Sequence, residues 1–210
     1  MRKGRYLAMK LEDYNISDFD YFVSLIAPAV KRGSEQEIAR RLLTKYLTVE
    51  NIFCVDTSEL SAVAGENCAV FLKLVAAIVS RRKTDLFEFG RVHTRAELAD
   101  YFKALFIGAS VETVYVICFD SRGRTVSCEL IGTGTVNRSE IVPRRIVEIA
   151  VRSGAKSVAL AHNHPRGVAK PSEEDALLTE RLAKTLSDAG VELREHYIVA
   201  GQLCTVYSPC

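Results

Sequence analysis

From Arg95 to the C-terminus the chain alternates between helical and strand periodicity, and that alternation limits its fold more than any other feature. The spacing predicts a helix over 95–106 and strands over 113–119 and 125–131. A helix over 143–153, opened by Pro143, comes next. Then come a short apolar strand from Ser157, a helix over 172–189 stopped by Gly190, and two closing strands. Elements in this order pack as a mixed α/β sandwich. Residues 17–82 carry helical signals only. Ser34-Glu35-Gln36-Glu37 reads as a capping box, and Thr57-Ser58-Glu59-Leu60 opens a short helix ending near Gly65. Phe71, Leu74, Val75 and Ile78 recur at helical spacing and predict a core-facing stripe. Residues 85–92 read as a linker, so the boundary between the two regions falls near residue 88.

The chemistry is concentrated after the central strand. Ser157-Val158-Ala159-Leu160-Ala161 reads as buried, and if the strand runs on through His164, His162 and His164 share a face. Pro165 and Gly167 open a loop, and Pro171-Ser172 starts a helix with Asp175 in its first turn. The pattern is H-x-H-x7-S-x2-D. Two imidazoles and a carboxylate can hold a divalent metal, and three protein ligands leave zinc one open position. Ser172 and Asp175 also form a plain capping box, and the serine can serve both purposes. The chain has only four histidines, and two of them end this strand.

The segment from His162 to Asp175 resembles the JAMM (MPN+) metalloprotease signature. Ala161-His162-Asn163-His164-Pro165-Arg166-Gly167 followed by Pro171-Ser172 is similar to the RadC family, which often has serine at the Arg166 position. The resemblance extends over about residues 92–207. Val116–Ser121 is similar to the family's first core strand. Gly132-Thr133-Gly134 with Ile141-Val142-Pro143-Arg144 resembles its connector and helix start, and Glu192–Gly201 its closing strand. It implies a JAMM/MPN (cytidine-deaminase-like) α/β sandwich behind a small all-helical N-terminal domain, 1–88 preceding 89–210. It further implies Zn2+ held by His162, His164 and Asp175 with water as fourth ligand, Glu112 as general base, and Ser172 as oxyanion donor. The expected reaction is hydrolysis of a peptide, isopeptide or other amide bond. Glu129 and Glu140 compete with Glu112 for the base. The family's link to DNA repair supplies a rival expectation, a DNA-binding accessory protein with a structural or vestigial metal. A scaffold that has lost its ligands is disfavoured, because every ligand position is filled.

The remaining features bound these expectations. His196 adjoins a strand-like run and reads as a partly buried histidine, or as one orienting Asp175 or a ligand histidine. His93 reads as a linker residue before the capping box Thr94-Arg95-Ala96-Glu97. The six cysteines contain no C-x2-C pair, and Cys118 and Cys128 read as small core residues. A net charge of +2 does not argue for nucleic acid. In the helical region the family's helix-hairpin-helix turn corresponds to Ala64-Gly65-Glu66-Asn67, where a glycine is missing and an acid would repel a phosphate. Arg81-Arg82-Lys83 is the compensating basic cluster. The basic start, Met1 to Tyr6, precedes no apolar core, and no stretch is apolar enough to span a bilayer, so a cytoplasmic location with reduced thiols is expected.

Overall fold

Among the residues described in the computed structural model (17–134, 138–165 and 167–209, with backbone alone for 138–142), a run of helices precedes a five-stranded sheet. The five strands are β1 (Thr113–Phe119), β2 (Thr125–Thr133), β3 (Ser157–Asn163), β4 (Glu192–Ala200) and β5 (Leu203–Tyr207). They form one sheet in the order β2-β1-β3-β4-β5. Only β3 and β4 run parallel, the other neighbours being antiparallel. Central β3 is buried along its whole length, which its apolar run requires.

Helices cover both faces. α7 (Arg138–Ser153) and α8 (Glu173–Asp188) bury Ile146, Ile149, Leu182 and Leu186 against Val114, Val116, Val158 and Leu160. On the other face α6 (Arg95–Leu105) packs Leu98 and Phe102 against Ile117, Phe119 and Tyr197. The chain is thus a mixed α/β sandwich. α7 begins five residues before Pro143, which lies inside it. Pro143 therefore does not open the helix as expected, and its missing N–H costs α7 one backbone bond. The Arg166 departure lies outside the described residues, as does the Met1–Tyr6 start.

α1 (Asp18–Ile26), a 3-10 turn (Ala27–Ala29), α2 (Glu35–Tyr46), α3 (Val49–Phe53), α4 (Thr57–Ala64) and α5 (Glu66–Thr84) precede the sandwich. They gather a separate core from Phe22, Ile26, Leu42, Ile52, Leu60 and Leu72. α5 is tied to the sandwich by Lys73 Nζ, which donates to Gly108 O as well as to Phe53 O of α3, and by Ser80 Oγ, which donates to Ala104 O. No described helix is long and apolar enough to cross a membrane.

Two sequence expectations fail here. Ser34 does not cap α2, because its hydroxyl donates to Lys31 O while the Glu35 carboxylate accepts from Gly33 N. In α5 the buried stripe is Cys68, Ala69, Leu72 and Ala76, and Leu74 and Ile78 are exposed. At Ala76 there is little room for bulk, since a Cβ at Gly108 would come within 3.1 Å of the Ala76 Cβ. Leu72→Ala should lower stability by about 2–5 kcal/mol. Leu74→Ala should stay within about 0.5 kcal/mol. Denaturant unfolding checks both, and equal losses would contradict the stripe.

Candidate metal centre

Strand register brings the first acid to the histidines. β1 pairs with β3 in antiparallel register, Val114 opposite His162. Two rungs further, the same register sets Glu112 opposite His164. Directly opposed residues in an antiparallel pair project to the same face. Accordingly Glu112 Oε1 lies 3.9 Å from His164 Nε2. The ring nitrogens His162 Nε2 and His164 Nε2 are 2.8 Å apart. β3 ends at Asn163, one residue short of the second histidine, but His164 N still donates to Val199 O. The two rings thus converge although the strand does not formally reach His164.

Asn163, the middle residue of the triplet, faces away from the rings and does something the sequence reading missed. Its Oδ1 accepts from Thr113 N at 2.7 Å, and its Nδ2 donates to Val111 O at 3.2 Å. Those two bonds bracket Glu112. The Glu112 carbonyl in turn accepts from Gly134 N at 2.7 Å. Gly134 has φ +74°, a backbone conformation that favours glycine, so the connector's last glycine is needed there. Glu112 is therefore held through the backbone on both sides while its side chain stays about one-third exposed.

The second acid arrives on α8. Ser172 is the N-cap and Asp175 the third helical residue, joined as a reciprocal capping box. Asp175 Oδ2 accepts from Ser172 N at 2.9 Å and from Ser172 Oγ at 2.6 Å. Its oxygens also lie 3.3 Å from His162 Nε2 and 3.4 Å from His164 Nε2. The carboxylate that closes the capping box thus also faces both imidazoles. Burial alone would raise the Asp175 pKa. The hydrogen bond and charge attraction of His162, with the Ser172 bonds, outweigh it and hold the carboxyl well below the usual carboxylate range.

The donor set fits a divalent cation. His164 Nδ1 contacts Val168 O at 2.9 Å, and a carbonyl can only accept, so Nδ1 carries a proton and Nε2 is the nitrogen left for a metal. A tetrahedral ion with ligand bonds of about 2.0–2.1 Å sets its ligand atoms about 3.3–3.4 Å apart, close to the Asp175 separations. Glu112, His162 and His164 also offer ligand atoms that all lie within 4.8 Å of one another. Either carboxylate can complete a set with the two imidazoles, Asp175 being the more buried. Gly167 hugs His164: a Cβ there would come within 3.1 Å of the His164 Cβ.

Of the other sequence candidates, His196 meets the imidazole pair, while Glu129 and His93 have partners of their own. Glu129 is held by Arg152 through two bonds of 2.8 and 2.6 Å. Glu140 has its side chain outside the described residues. His93 stacks on Phe87, with ring centroids 4.1 Å apart, ahead of the Thr94–Glu97 capping box. His196 is fully buried, its Nε2 2.7 Å from His162 Nδ1. Gly65 alone separates α4 from α5, and Glu66 occupies the first turn of α5, where an anion would otherwise dock. Burial raises the pKa of Cys54 and Cys118, and pushes Cys68 and Cys204 up to about 11 and Cys128 to about 12. These five thiols are poor nucleophiles at neutral pH.

Comparison with known proteins gives one consistent result. A family model described as a RadC-like JAB domain matches residues 92–208. A UPF0758 protein of Fusobacterium nucleatum is 30% identical over 193 residues, covering 87% of this chain and 83% of its own. One from Cupriavidus necator is 30% identical over 199 residues, covering 93% and 87%. One from Pseudoalteromonas translucida is 29% identical over 196 residues, covering 92% and 88%.

Proposed function

The chain belongs to the RadC-like JAB domain family, and from that premise we propose that it is a zinc-dependent hydrolase acting on a peptide, isopeptide or other amide bond. The observation that carries this reading is the convergence of His162 Nε2, His164 Nε2 and the Asp175 carboxylate within 3.4 Å, beside a glutamate that is partly open to solvent. Two imidazoles and a carboxylate suit zinc. We also assign the sandwich to the JAMM/MPN, cytidine-deaminase-like type, which the strand order and single parallel pair support. The separate helical core supports a division of the chain near residue 88.

His162, His164 and Asp175 would hold the ion. When bound, it supplies Lewis acidity and brings the pKa of a coordinated water toward neutrality. Glu112 does the proton work: its carboxylate takes the proton of the attacking water and returns it to the leaving amine. The backbone bonds on either side of it hold the carboxylate close to His164 while leaving it a path to solvent. Ser172 steadies Asp175 first. To donate to a developing oxyanion its hydroxyl turns away from Asp175 Oδ2, to which it is bonded at rest.

Metal analysis of protein reconstituted with zinc should give about one ion per chain. A library of peptide and isopeptide amides should then contain substrates whose cleavage stops on chelation and returns with zinc. Failure to bind the ion, or cleavage indifferent to a chelator, would sink the reading.

A further inference from the structure

Behind His162 runs a buried line of side chains. His162 Nδ1 is 2.7 Å from His196 Nε2. His196 Nδ1 is 2.7 Å from Thr179 Oγ1. Thr179 Oγ1 is 2.6 Å from the carbonyl oxygen of Asp175. His162 is 2% exposed, and His196 and Thr179 are wholly buried, so no water competes along the line. It starts on one candidate ligand and ends on the backbone of another.

The direction of each bond can be worked out from the far end. A carbonyl oxygen only accepts, and two oxygens 2.6 Å apart need a proton between them. The Thr179 hydroxyl has one proton, so that proton lies on Asp175 O. Its oxygen must then accept from His196, which places a proton on His196 Nδ1. On a neutral ring this leaves His196 Nε2 bare, and it accepts from His162 Nδ1–H. His162 Nε2 is the nitrogen left facing His164 and Asp175, and it gives up the proton it shares with His164 Nε2 when a metal ion binds. We infer that Thr179 and His196 are positioning residues that fix a proton on His162 Nδ1 and so leave Nε2 as the nitrogen that meets a metal. Val168 O does the same for His164.

The fold delivers His196 to this place by a local irregularity. β3 pairs Val158 with Leu193 but Ala159 with Glu195, so Arg194 is an extra residue in β4. Leu193 packs with α8, whereas Tyr197 packs toward α6. An extra residue shifts the pleat by one, which turns His196 to the α8 face with His162 and Thr179.

This inference deepens the proposed function and rests on it only for the use of His162 Nε2. Its test needs no substrate, so a failed hydrolase assay and a failed tautomer assignment are separate results. Nitrogen-15 NMR of the imidazoles in the metal-free wild-type protein should show a proton on His162 Nδ1, and His196 protonated on Nδ1 alone. His162 without a proton on Nδ1, or His196 protonated on Nε2, overturns the inference. Thr179→Val removes the hydroxyl at nearly constant shape, and its zinc affinity, measured with a competing chelator, should drop about tenfold or more. Thr179→Ser restores the hydroxyl and should recover the affinity. A folded Thr179→Val protein with unchanged tautomers and affinity would also overturn it. Should that variant not fold, the wild-type spectrum decides alone.

Discussion

Glu112→Gln should leave zinc bound and lower turnover by about 10²–10⁴-fold, the usual contribution of a positioned general base. The exchange is nearly isosteric. The bonds that pin this position run through the Val111, Glu112 and Thr113 backbone, so the amide should sit where the carboxylate sat. What is lost is the ability to take a proton. Metal content and kcat, measured on the same preparation, separate the two roles that the geometry offers this residue. If Glu112 were a ligand, metal would fall with turnover. Full turnover in the variant would refute the assignment and move the base to Glu140, since Glu129 is held by Arg152.

Asp175→Asn should cost more metal affinity than loss of any residue behind the ligands. Removing a supporting partner weakens a metal site by about 10–100-fold, and a ligand's charge should exceed that. Asparagine keeps the shape and can still accept from Ser172, so α8 retains its start. A chelator titration checks the affinity, and wild-type binding by the variant would hand the third ligand position to Glu112. The same variant carries a pH signature in the metal-free protein. The folded Asp175 pKa lies below its unfolded value of about 4. Its stabilisation is therefore complete above about pH 4 and is lost as pH falls below that. The asparagine side chain does not titrate, so acid unfolding curves of the two proteins should converge at low pH and separate toward neutrality.

Much of this is legible in particular stretches of sequence. The spacing predicts β1 at 113–119 and it lies at Thr113–Phe119, because β-branched and aromatic residues crowd it between turn signals. α8 is predicted to follow Pro171-Ser172 and does, because a serine cap and first-turn acids satisfy orphan amides locally. The α5 stripe departs from its prediction because apolar residues occupy more than one side of that helix, and only its neighbours select the buried side. The bond pattern of Asn163 carries no signal beyond its place between two histidines.

What the sequence determined by itself was the alternation of elements after Arg95 and the candidate ligand types within the H-x-H and S-x2-D spacings. Periodicity, caps and short motifs act over a few residues and need no partner to be read. The tertiary structure alone decided which acid meets which imidazole, because strand pairing sets Glu112 opposite His164 across about fifty residues of chain. It also decided that His196 faces the site, since a single added residue in β4 turns the pleat over. Register and bulges depend on contacts between distant segments, and no window of neighbouring residues contains them.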